Sequence, residues 1–259
     1  MGAVLLAIAL SPLGRANAVG EQVALETSKA AVGRVIRNHS LLDADGRKVS
    51  LVTLRDRPLV VNLIFTSCYG SCSIVTRRLA AAVQVARETL GTQSFRVATI
   101  GFDAANDTPD RMAAYARKQG IGDADWLVMS TDAATAEAIT NDLGFAYAAS
   151  PRGFDHISQV TIVDAAGRVY RQIYGDAFPT PALVEPLKEL VWGKASRTST
   201  VDGWLNGLKL LCTVYDPAAD RYRFDYSVFM AAFTGIVCLG SIIVFVVRSW
   251  NADRDRHAP

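Results

Sequence analysis

The stretch that most constrains this chain is a continuous apolar run followed at once by two cysteines four apart. Residues 58–66 read Pro-Leu-Val-Val-Asn-Leu-Ile-Phe-Thr, and Cys68 and Cys72 come next. A run of Val, Leu and Ile without alternation is the signature of a strand covered on both faces. Residues 74–90 are Ala-rich with spaced arginines and read as a helix. Two thiols therefore stand where a buried strand ends and a helix is about to begin. Backbone N–H groups at a helix start stabilise thiolates and lower their pKa. Such a pair either binds a soft metal or cycles through a disulfide.

The order of the remaining segments predicts the fold. Residues 41–51 read as two short strands joined at Asp45-Gly46. A second apolar run, 95–102, gives another inner strand. A helix begins after Asp107, with Thr108 as N-cap and Pro109 at its first position, and stops at Gly120. Residues 126–129 read as a short strand, and 132–143 as a helix ended by Gly144. Residues 159–163 and 168–174 form a hairpin, and 181–191 a closing helix. Strands alternating with helices, then a terminal hairpin and helix, predict an α/β fold with a mixed central sheet flanked by helices. A cysteine pair after the first inner strand makes it thioredoxin-like. This domain is expected over residues 33–192, after a polar tether at 19–32 and before a membrane-proximal connector at 193–227.

At 259 residues the chain is long enough for one such domain plus extensions. Half of it is apolar, with a mean hydropathy of +0.18, which is high for a domain facing only water. Residues 3–10 form a short apolar core and Ala16-Asn17-Ala18 a small-x-small cleavage site, so 1–18 read as an export signal, although no Lys or Arg precedes the core. Residues 228–247 carry no charge and, at ~1.5 Å per residue, span ~30 Å, which predicts a transmembrane helix. Phe224 and Tyr226 on one side and Trp250 on the other suit the interfaces. The flanking basic residues are nearly balanced, so orientation rests on the export signal. The expectation is an inner-membrane protein with its globular domain on the periplasmic side and a cytoplasmic tail at 248–259. The formal net charge of +2 comes from 27 basic and 25 acidic residues without a long single-sign run, which argues against a nucleic-acid partner.

Outside the cytoplasm thiols tend to be oxidised unless something maintains them. Besides Cys68 and Cys72 the chain has Cys212, read as a spare thiol near the bilayer, and Cys238, read as an apolar filler in mid-span. Residues four apart share a helix face, so both sulfurs of the pair can address one ion. The same spacing permits disulfide closure, either redox-active or purely structural. Of three histidines, His39 and His257 read as surface residues. His156 stands just before the terminal hairpin, in a loop that lies next to the cysteine loop in a thioredoxin-like sheet. Two thiolates and an imidazole suit Cu(I) and Cu(II), whereas a structural zinc site takes four ligands. Asp155 reads either as an acceptor that orients His156 or as a turn former.

Segment 65–72, Phe-Thr-Ser-Cys-Tyr-Gly-Ser-Cys, with 102–109, Phe-Asp-Ala-Ala-Asn-Asp-Thr-Pro, then Trp126, Phe154-Asp155-His156 and 163–167, Val-Asp-Ala-Ala-Gly, resembles the SCO/SenC family of copper proteins. The resemblance covers residues 32–192 in the family's order, and Tyr215-Asp216-Pro217 before a membrane span resembles some bacterial members. It implies a membrane-tethered thioredoxin-fold protein that binds copper through Cys68, Cys72 and His156. It also implies a role as metallochaperone for the copper centre of cytochrome c oxidase, with a copper-containing subunit of a terminal oxidase, or a similar cuproprotein, as partner. The family commonly has proline after each cysteine; Tyr69 and Ser73 stand there instead, which removes a backbone restraint but no ligand. The alternative is a thiol–disulfide oxidoreductase that uses Cys68 and Cys72 as a redox pair on the cysteines of a partner copper protein. A membrane-relayed sensor is disfavoured by the short tail, and a peroxidase by the lack of a Thr-x-x-Cys arrangement.

Overall fold

The computed structural model describes residues 13–68, 70–151, 153–195, 213–217, 219, 221–224 and 226–256. It divides into two compact units, 1–197 and 198–259.

The first unit opens with helix α1 (Leu13–Ala30), then a short antiparallel hairpin of β1 (Ser40–Leu42) and β2 (Lys48–Ser50) closed by Gly46. A 3₁₀ turn, Leu51–Leu54, leads into β3 (Leu59–Ile64), followed by α2 (Ser71–Leu90), β4 (Arg96–Gly101), α3 (Pro109–Gln119), β5 (Trp126–Met129) and α4 (Ala133–Leu143). A second small hairpin, β6 (Tyr147–Ser150) and β7 (Gly153–His156), precedes β8 (Gln159–Val163), β9 (Val169–Tyr174) and α5 (Thr180–Ala195).

Five strands form the central sheet in the order β5-β4-β3-β8-β9. Strand β3 is parallel to β4 and antiparallel to β8; β4 is parallel to β5, and β8 antiparallel to β9. The mixed sheet expected from the sequence is therefore present. Every residue of β3 is buried, which is why its sequence does not alternate. Each fully buried aliphatic side chain there contributes roughly 1.5–3 kcal/mol relative to an exposed one. Helix α2 packs against α5 and touches α3, while α3 lies against β5 and α5 against β9.

Local chemistry sets the boundaries. Thr108 Oγ1 accepts from the Arg111 N–H and caps α3, which Gly120 ends in the left-handed conformation. Asp132 caps α4 by accepting from the Thr135 N–H. Residues 19–32, expected as a tether, belong mostly to α1, where Ala24 and Ser28 are buried, as is Ala31 just past its end. The reason lies at Gly144, at φ +66, where a Cβ would stand 2.6 Å from Ala31 Cβ and 2.7 Å from the Thr27 carbonyl oxygen. A bare α-carbon lets the end of α1 approach this closely. His39, expected at the surface, is 6% exposed, because its Nε2 bonds Asp142 Oδ2 at 2.8 Å near the end of α4.

The second unit contains an antiparallel hairpin, β10 (Thr213–Asp216) with β11 (Arg221–Phe224), and helix α6 (Ser227–Arg256). The transmembrane reading of 228–247 is corrected here: among the described residues, no helix is long and apolar enough to cross a membrane. Helix α6 does cover the segment, but Thr234, Gly235, Gly240 and Ser241 interrupt its apolar residues, and it runs on through Arg248, Asp253, Arg254 and Arg256. Membrane attachment through this segment, and a cytoplasmic C-terminus, rested on that crossing. Cys238 is exposed on α6. The apolar core of the expected export signal, Cys212 and His257 lie outside the described residues.

Candidate metal centre

Strand β3 ends at Ile64, and Phe65 and Thr66 carry the chain to Cys68. Helix α2 starts at Ser71, so Cys72 lies in its first turn and Cys68 just ahead of it. The Cys72 N–H points at Cys68 Sγ, at 3.4 Å, and the Ser71 hydroxyl lies 3.8 Å from the same sulfur. Partial burial pushes the Cys68 thiol up, but hydrogen bonds from the Cys72 thiol, the Gly70 and Cys72 N–H groups and Ser71 more than offset it. Its pKa ends below the ordinary thiol value. Cys72 is 3% exposed; burial and the neighbouring Cys68 push its thiol far up. Both are free thiols. The pair is thus asymmetric, with an accessible sulfur that ionises more readily than a free thiol and a buried one that ionises less readily.

Two polar assemblies hold this loop. The Asp107 carboxylate accepts from the Thr66 N–H and hydroxyl, each at 2.7 Å, and from the Asp103 N–H at 2.9 Å. Burial pushes Asp107 up, and those three donors offset only part of it. The second assembly is a relay through the core. Asn62 Nδ2 donates to Thr76 Oγ1, Thr76 shares a 2.8 Å bond with the Tyr115 hydroxyl, and Tyr115 donates to the Cys72 carbonyl at 3.2 Å. Burial lifts the Tyr115 pKa to about 12, so the phenol keeps the proton that it donates. Neither Asp107 nor Tyr115 was singled out as a site residue from the sequence. Asp107 read as part of a helix start, and Tyr115 carried no reading of its own.

His156 ends β7, a strand that sequence reasoning took for a loop. Its Nδ1 lies 2.9 Å from the Ile157 carbonyl oxygen. A carbonyl only accepts, so Nδ1 carries the proton and Nε2 keeps the lone pair that a metal needs. Asp155 is exposed, and the orienting acceptor is this carbonyl rather than the carboxylate. The ring sits in an aromatic cluster, 5.2 Å from the Phe145 centroid and edge-on to Phe65 at 6.0 Å and Phe102 at 6.1 Å. Gly153, at φ +111, lets the hairpin lie down on this cluster: a Cβ there would meet Phe65 Cε2 at 2.7 Å. The structure therefore brings Cys68 and Cys72 together and holds His156 against Phe65, three residues before Cys68. It does not gather all three at one point, since among the described residues no three His, Cys, Asp or Glu side chains are grouped to hold a metal.

A mixed five-stranded sheet flanked by helices, with a thiol pair at the N-terminus of the helix after its central strand, defines a thioredoxin-like protein. The SCO1/SenC family model matches residues 27–191, more than half of the chain, and the chain belongs to that family. Solved structures agree on the fold. A protein of Aquifex aeolicus VF5 is 23% identical, with a TM-score of 0.57, over 62% of this chain and 95% of that one. Bradyrhizobium japonicum ScoI, solved with copper bound, is 19% identical, with a TM-score of 0.52, over 60% of this chain and 99% of its own. BsSco, described as a Sco family cytochrome c oxidase assembly protein with a disulfide switch, is 18% identical, with a TM-score of 0.52, over 61% of this chain and 94% of its own. No curated protein matches the chain.

Proposed function

We propose that this chain is a copper-binding Sco-type protein that carries copper as cargo to a cuproprotein, the copper-containing subunit of a terminal oxidase being the expected recipient. The observation that carries this reading is the pairing of two free thiols at one helix start, one of them disposed to ionise. Soft thiolates select Cu(I), and an imidazole nitrogen added to them accommodates Cu(II). Cys68 and Cys72, neighbours at one helix start, would supply the two sulfur ligands. His156 would add the third ligand, a nitrogen, through Nε2, whose lone pair the Nδ1 bond to the Ile157 carbonyl leaves open. The asymmetry of the pair also supports a second reading, in which Cys68 attacks a partner's disulfide and Cys72 resolves the product.

The test is a titration of the full-length protein, reduced without oxygen, with Cu(I) and then Cu(II). One equivalent should bind, and the Cu(II) form should show a sulfur-to-copper charge-transfer band. Cys68→Ser and Cys72→Ser should each abolish the band. His156→Ala should lose tight Cu(II) binding and keep disulfide exchange. A full-length chain that shows no band at one equivalent defeats the copper reading.

A further inference from the structure

Beside Cys68 lies a cavity of about 230 Å³, lined by Cys68, Ser73, Arg111, Ala114, Lys118 and Gln119 among others. Helical spacing builds its charged wall. Arg111, Ala114 and Lys118 are three and seven apart on α3 and share one face. The small Ala114 keeps the floor low between two long cationic side chains. Both cations are exposed, and among the described residues neither is in an ion pair; Arg111 reaches only the neutral Asn106 Oδ1, at 3.3 Å. No carboxylate lines the cavity. At the end of α3 Gln119 Nε2 donates across the cavity to Ser73 Oγ of α2 at 3.0 Å, while Gln119 Oε1 is buried without a hydrogen-bond partner. Two uncompensated cations thus flank the accessible sulfur of the pair. The volume lies below the roughly 300–1,000 Å³ of pockets that take drug-sized molecules. It suits a short chain ending in a carboxylate.

We propose that this cavity binds the carboxylate of a small sulfur compound, and so selects, among the disulfides that Cys68 attacks, those with a negative charge a few bonds from the sulfur. The inference rests on the thiol-exchange reading of the same pair and names its substrate class. In the reaction the Cys68 thiolate attacks one sulfur of R–S–S–R and the S–S bond breaks. The first R–S⁻ leaves and takes a proton from solvent, giving a Cys68 mixed disulfide. Cys72 then gives up its proton and attacks the Cys68 sulfur, releasing the second R–S⁻. The protein pair is oxidised by two electrons, and the disulfide is reduced to two thiols. The cations hold the carboxylate while the sulfur faces Cys68.

The experiment uses the reduced full-length protein and three symmetrical disulfides: 3,3′-dithiodipropionate, 2-hydroxyethyl disulfide and cystamine. The rate of Cys68 mixed-disulfide formation is read by mass spectrometry in a Cys72→Ser background. Each rate is divided by that of the same disulfide with 2-mercaptoethanol, which removes intrinsic differences between leaving thiols. The anionic disulfide should be preferred over the neutral one by roughly three- to tenfold at low salt, the range of two exposed ion pairs, and by less at high salt. Arg111→Ala with Lys118→Ala should bring that ratio close to one, and Lys118→Glu should turn the preference toward cystamine. A ratio near one in the unaltered chain, or the same ratio after both alanine substitutions, overturns the proposal. The copper titration is read separately. A charge preference without copper binding would sink the copper reading alone, and copper binding without a charge preference would sink this inference alone.

Discussion

At the scale of single residues the two cysteines are different reagents, although both stand at the start of one helix. Cys68 is half-buried and receives hydrogen bonds that favour its thiolate; Cys72 is sealed under the loop. Because the Cys68 pKa is lowered, the thiolate fraction reaches its plateau at a lower pH than for a free thiol. Native protein treated with iodoacetamide should therefore be alkylated at Cys68, with a rate-against-pH midpoint below that of an ordinary thiol. Cys72 should react only after unfolding. Peptide mass spectrometry separates the two from the exposed Cys238. Cys72→Ala removes one donor to the Cys68 sulfur and should move the midpoint up. Equal alkylation of both cysteines in the native protein would contradict the asymmetry. The same scale explains which site residues the sequence leaves unmarked. A cysteine pair announces itself by spacing, whereas Asp107 and Tyr115 act through bonds to Thr66 and Cys72, about forty residues away, which no local pattern encodes.

At the scale of elements, legibility followed hydrophobic continuity. Strands β3, β4, β5 and β8 are buried along nearly their whole length, so their apolar runs marked them within a residue or so. Hairpin β6–β7 went unread because no residue of its strands is fully buried and neither holds an apolar run. It is nevertheless the element that carries His156. Helix α1 buries small residues rather than a wide apolar stripe, so its docking was equally silent. Nor did sequence show that Asp142, near the end of α4, clamps the segment before β1. Its carboxylate takes the Arg37 N–H and guanidinium and the His39 ring. Burial pushes Asp142 up, but these donors more than offset it, and the carboxyl ends below the usual range. A depressed folded-state pKa contributes stability above the unfolded value, near ~3.9, that is lost as pH falls through the folded value. Asp142→Ala should thus cost about 1–3 kcal/mol at pH 7, chiefly from stranding the buried His39 ring. The gap between the two proteins should narrow below about pH 4. Urea denaturation at pH 7 and at pH 3 checks both points, and a gap that stays constant with pH would refute the clamp.

At the scale of the whole molecule, sheet and site belong to one unit. Every strand of the five-stranded sheet and both sulfurs lie before residue 198, as do His156, Asp107, Tyr115 and the cations beside Cys68. The C-terminal unit adds its own two-stranded hairpin and α6, whose Phe233, Ile236, Leu239 and Phe245 are exposed. It contributes no strand to the central sheet. The chemistry of the pair should therefore be independent of that unit. Ending the chain after Arg197 should leave the Cys68 alkylation midpoint, the copper stoichiometry and the disulfide charge preference where they are in the full chain. The urea midpoint of the first unit should shift little, since its core residues run from Ala24 to Leu187. If instead the truncated chain lost copper or exposed Cys72 to alkylation, the C-terminal unit would have to be counted as part of the site.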